Sequence, residues 1–177
     1  MSIVGDAVVF LLEIAIVAFL YVLLRPVNRT LALIAAFSRL AMTIVQGVNL
    51  LNRFLVLLLV GGGGMTAGFD PGQLDSLVML FVNAHEMTAH IWGLFFALHL
   101  AFAAVLVIKA DYLSKIPGIA LAAAAVCYFV QGFGTILAPQ YGEAFAVIGF
   151  ISIIEVLFPL WLVIGGVKHE PEAVGAG

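Results

Sequence analysis

Residues 75–108 read DSLVMLFVNAHEMTAHIWGLFFALHLAFAAVLVI, and this stretch decides the fold. Between Glu86 and Lys109 it carries no Asp, Glu, Lys or Arg over 22 residues. That exceeds the roughly 18 apolar residues that mark a helix able to cross a bilayer. Yet it holds His85, Glu86, His90 and His99. Lipid accounts for the apolar residues; the polar ones need partners or a polar interface.

The rest of the chain reads the same way. Of 177 residues, 64% are hydrophobic and 10% are charged, too few charges to clothe a water-soluble domain of this length. Breakers separate five predicted helices at about 4–24, 30–60, 75–108, 119–137 and 145–164. Arg25-Pro26 ends the first, because proline cannot continue the helical ladder. GGGGMTAGFDPG links the second to the third, and Pro117 and Pro139 bracket the fourth. The expected fold is an all-α, polytopic transmembrane bundle over 1–167, with a short cytoplasmic tail at 168–177. A net charge of −3 without a basic run argues against nucleic acid as a partner. Cys127 stands alone, so no disulfide framework is expected.

Charge in the connections alternates. Arg25, Arg29, Lys109, Lys115 and Lys168 fall on one side, and Asp70, Asp75 and Glu143 on the other. Short basic loops stay in the cytoplasm, so the amino terminus is expected outside and the carboxy terminus inside. A retained, uncleaved first helix with an outside amino terminus is the less common arrangement; it suggests a helix preceding Met1.

Two polar layers emerge from counting depth. About 20 residues at ~1.5 Å each fill the hydrocarbon core, which takes the second and third helices only to about residues 49 and 89. The turns beyond form an outer seam. Counted around Gly68, Arg53 is level with Asn83, and Gln46 with His90. Gln46, Asn49 and Arg53 share one face of the second helix, and Asn83, Glu86 and His90 share one face of the third. This pattern predicts an Arg53–Glu86 charge pair, with His85 on the opposite face beside Thr88 and Trp92, meeting water or another subunit.

Deeper, Glu13, Arg39, His99 and Glu155 each lie about 10–13 residues, or roughly 15–20 Å, from their cytoplasmic flank. Ionisable groups near the bilayer centre face partners or cavities. The expectation is a buried network that fixes helix register; the alternative is a proton- or ion-coupled site.

Other chemistry finds little support. HEMTAH is one residue too long for the zinc helix H-E-x-x-H, and side chains five apart diverge by about 140° on a helix. Bis-histidine haem within one bundle needs two facing helices, whereas His85, His90 and His99 share one and His169 lies in the tail; haem held across a dimer or with another subunit stays open, so a haem- or metal-binding membrane protein is the third reading. The tetraglycine lacks the Lys-Ser/Thr of a phosphate loop, and no serine sits in a nucleophile elbow. No cofactor, no metal and no enzymatic constellation are expected. GIALAAAAV at 118–126 allows close helix contact, within the chain or in a homo-oligomer or a complex with another membrane protein.

LLRPVNRTLALIAAFSRL at 23–40, GVNLLN at 47–52, NAH at 83–85 and WLVIGGVK at 161–168 carry a resemblance. Through them most of the chain resembles a bacterial family of multi-pass membrane proteins classed as a domain of unknown function. The resemblance implies a bacterial cytoplasmic-membrane protein and supplies no activity. Members of that family look as though they carry a further amino-terminal helix, in keeping with the suggestion from charge.

The topology has a direct check. With Cys127→Ser as background, Asp111→Cys should react with an impermeant maleimide only in inverted vesicles. Labelling in intact cells would reverse the orientation.

Overall fold

The computed structural model describes residues 3–64 and 66–165. The tail from Lys168 onward, with His169, and the last three residues of the 161–168 stretch lie outside the described residues. Among those described there is no strand. Among the described residues five helices are long and apolar enough to cross a membrane, and the fold is an all-α transmembrane bundle. They are α1 (Ile3–Leu24), α2 (Arg29–Gly61), α3 (Pro71–Lys109), α4 (Lys115–Leu137) and a fifth span over Pro139–Gly165. The fifth is broken into α5 (Gly142–Ile151), a 3-10 turn (Ser152–Val156) and α6 (Leu157–Gly165).

Helix ends follow local chemistry, and three starts differ from expectation, the fifth span beginning at Pro139 rather than at 145. α3 starts at Pro71 rather than Asp75. Asp70 accepts from the Gln73 backbone N–H, while the Gln73 side chain accepts from the Asp70 N–H, closing a capping box ahead of a proline in the first turn. α4 starts at Lys115, because Pro117 falls in the first turn, where a missing N–H costs no hydrogen bond. Ser114 caps that end. At the start of α2, Asn28 accepts from the Leu31 N–H. In the fifth span, Pro159 cannot donate to the carbonyl of Glu155, and its ring crowds that carbonyl. The helix tightens into the 3-10 turn at this point.

Consecutive helices pack as neighbours. α3 is central: half of its most apolar stretch is buried inside the protein, against 6% for α1. Small residues let α3 and α4 approach closely, with Ala97, Ala103 and Ala104 on one side and Ala120, Ala124 and Ala125 on the other all buried. Gly118 marks one close approach. A Cβ there would lie 2.7 Å from the Ile108 side chain and 3.1 Å from its backbone nitrogen. The outer surface carries Phe19, Leu137, Phe150, Val163 and Ile164, each exposed by roughly three-quarters or more. In water such a surface would be prohibitive; in lipid it is the expected one.

Tyr112, in the turn between α3 and α4, donates its hydroxyl to the Leu23 carbonyl at 2.5 Å. Burial raises its phenol pKa above the ordinary value. This bond ties the end of α1 to the α3–α4 connection. We call the side holding this turn the basic-loop face, and the side holding Gly62–Asp70 the link face.

Gly118→Val should lower the thermal stability of the purified protein by about 1–3 kcal/mol, since backbone on α3 blocks the new side chain. Gly47→Ala, where nothing lies within 4 Å of the added carbon, should be neutral or slightly stabilising.

Candidate functional site

Arg39 is the centre of the deep layer. Its Nε donates to Glu13 Oε2 at 2.6 Å and its Nη2 to Glu13 Oε1 at 3.0 Å, a two-pronged pair between α1 and α2. Nη1 donates to His99 Nε2 on α3 at 3.2 Å. The Phe96 ring lies beneath the guanidinium, 5.5 Å from its carbon to the ring centroid. His99 Nδ1 lies 2.9 Å from the Ala35 carbonyl. A guanidinium can only donate and a carbonyl can only accept, so His99 carries its proton on Nδ1 and presents the Nε2 lone pair to Arg39.

Depth explains the meeting. Glu13 and Arg39 are equidistant from Pro26, the apex of the α1–α2 hairpin. Arg39 lies about 15 Å along α2 from Arg29, and His99 about 15 Å from Lys109. Three helices thus converge on one fork of donors near mid-membrane.

Glu155 lies in the same slab without joining this fork. Its Oε1 accepts from the Tyr128 hydroxyl at 3.2 Å, and its Oε2 is buried with no hydrogen-bond partner among the described residues. A cavity of about 150 Å³ lies between it and the clamp, lined by Arg39, Phe96 and His99 on one side and Glu155, Phe158 and Pro159 on the other. The sequence reading of a single four-residue network is therefore divided: a closed Arg39–Glu13–His99 clamp, and a separate carboxylate held by Tyr128.

The outer seam is rearranged more deeply. Arg53 pairs with Asp6 of α1, not with Glu86, and its Nε donates to His85 Nε2 at 3.2 Å. Asn49, almost fully buried, donates to the His85 carbonyl at 3.1 Å. Its own oxygen accepts from Asn52 at 2.9 Å, and its amide reaches Gln46 at 3.5 Å. His85 therefore turns toward α2, opposite to the sequence reading. Asn83 and Glu86 are exposed, without hydrogen bond or ion pair among the described residues. His90 lines a different cavity, between α3, α4 and the fifth span.

The wheel put the wrong face of α3 inward because that helix is apolar nearly all round, so its polar residues did not single out the face that docks. The physical reason for the outcome lies in depth. Glu86 is about 34 Å along α3 from Lys109, past a hydrocarbon core of about 30 Å, and needs no protein partner. Asp6 was missed, although it lies two turns from Glu13 on the same helix face. Tyr128 was missed because a lone tyrosine in an apolar helix carries no pattern of its own.

Serine and threonine hydroxyls are spent locally: Ser38 on the Ile34 carbonyl, Thr43 on that of Arg39, Thr88 on that of Ala84, Ser152 on that of Gly149. Among the described residues, no three His, Cys, Asp or Glu side chains converge as a metal site would require.

Fold and site together define an α-helical multi-pass membrane protein with a paired arginine in its interior. The chain belongs to the family described as Domain of unknown function (DUF4386), whose profile matches residues 1–166. No curated protein and no solved structure matches it.

Arg39→Met should destabilise the protein by about 3–5 kcal/mol, because Glu13 is left buried without its counter-charge. The double variant Glu13→Leu/Arg39→Met should recover a large part of that loss. Thermal unfolding in lipid nanodiscs reads both; a double variant no better than the single would show that the pair is not the unit that matters.

Proposed function

We propose that this protein is a non-enzymatic component of the bacterial cytoplasmic membrane, acting through its structure and through association with a second copy or another membrane protein. Its amino terminus lies outside and its carboxy terminus in the cytoplasm. The observation that carries this reading is the closure of the Arg39 clamp. The most costly group in the interior is answered by one carboxylate, one imidazole and one aromatic ring, all from its own chain. A charge so fully matched fixes the register of α1, α2 and α3 and leaves no donor fork for a substrate.

Association is favoured by Asn83 and Glu86, which face outward from α3 near the link-face headgroups. Polar groups on a lipid-facing helix are natural meeting points for a neighbouring helix. A second reading, a proton- or ion-linked transporter or sensor, draws on the unpartnered oxygen of Glu155.

A photo-crosslinking amino acid at position 86, activated in intact membranes, should give an adduct of two chains or of one chain with another membrane protein. Monomer alone would overturn the association.

A further inference from the structure

The clamp leaves one buried carboxylate unused. Glu155 has one oxygen on the Tyr128 hydroxyl and the other, Oε2, with no donor among the described residues. A buried acceptor without a donor carries a desolvation cost that a native structure rarely leaves unanswered.

Every neighbouring charge is already committed. From α2, Arg39 faces it across the 150 Å³ cavity, but that charge is matched by Glu13 of α1. From α3, His99 has both ring nitrogens occupied, by Arg39 and by the Ala35 carbonyl. From α4, Tyr128 gives its single proton to Oε1. Among the described residues no cation remains for Glu155. A divalent cation would need about six oxygen ligands, more than Glu155, Tyr128 and Ser152 can supply.

The surroundings differ on the two sides of Tyr128. Toward the basic-loop face, the small cavity is lined by the apolar Leu20, Leu121, Phe158 and Pro159, which offer water no hydrogen bond. Toward the link face lies a second cavity of about 260 Å³, whose polar lining is His90, Tyr128, Gln131 and Ser152. It is large and polar enough to hold several waters. Gly149 permits this lining, since a Cβ there would collide with the Gln131 side chain at 2.3 Å. His90 stands about 28 Å along α3 from Lys109, at the edge of the hydrocarbon core, so the polar cavity leads from that edge down to Tyr128.

The geometry points to Glu155 as a proton-exchange site: its carboxyl trades a proton, relayed by the Tyr128 hydroxyl bonded to it, with water in the cavity that His90, Tyr128, Gln131 and Ser152 line, from the link face alone. The step is a relayed acid–base exchange: Tyr128 passes its hydroxyl proton to the Glu155 carboxylate and takes one from cavity water, and the reverse sequence returns it. It is access from one side, not conduction through the membrane. It stands independently of the structural role proposed above, since it concerns the carboxylate that the clamp does not use.

Dicyclohexylcarbodiimide, an apolar reagent that reacts with protonated carboxyls, tests this on the full chain in oriented proteoliposomes. Peptide mass spectrometry reads Glu155 and Glu13 in the same molecules, so Glu13 is the internal reference. Glu155 should react at least ten-fold faster than Glu13. Its rate should fall as pH rises in the link-face compartment and ignore the pH of the other. Gln131→Leu, with an unchanged unfolding temperature, should slow the response to a link-face pH jump several-fold. Glu155 reacting no faster than Glu13 would overturn the site. Control by the basic-loop compartment, or an unaltered response in Gln131→Leu, would overturn the route. None of these failures touches the clamp, which is read from the unfolding of the Arg39 variants.

Discussion

A guanidinium held near the middle of a bilayer is the constraint around which this bundle is organised. A guanidinium is a cation in proteins, and hydrocarbon offers it no solvation. The protein responds by gathering Glu13, His99 and Phe96 from two other helices onto one planar fork. Once that convergence is required, the relative heights of α1, α2 and α3 are set. The register then brings Asp6, Arg53 and His85 together two to four turns further out.

The two polar layers differ in kind. The deep clamp is largely shielded, with about 15% of each charged side chain exposed, and its geometry is two-pronged. The outer group sits where side chains reach headgroups, and Arg53 is a third exposed. Screening by water and ions weakens an outer pair far more than an inner one. The stability contributed by ion pairing therefore resides in the inner layer, while the outer layer contributes alignment through the Gln46–Asn49–Asn52 ladder and its bond to the His85 carbonyl.

Much of this is legible in the sequence. Breakers and apolar runs located five spans, and residue counts from the basic flanks put Glu13, Arg39, His99 and Glu155 at one depth. Depth is readable because helical rise is constant. Rotation is not, when a helix is apolar on every side: α3 gave no stripe to orient it, so Glu86 and His90 were turned toward α2 where His85 belongs. The ends of α3 and α4 were hidden for another reason. Pro71 and Pro117 look like breakers but sit in first turns, and only the Asp70 and Ser114 caps reveal it. The break at Ser152–Val156 was present in Pro159, whose effect falls four residues earlier, on Glu155 itself.

The α1–α2 hairpin has a consequence for biogenesis. Because Glu13 and Arg39 face each other across the Arg25–Asn28 turn, these two segments can leave the translocation machinery as an electrically neutral couple. Neither charge need wait in lipid for α3 to be synthesised. His99 and Phe96 then arrive to a docking surface that is already formed, so assembly can proceed in the order in which the ribosome delivers the helices.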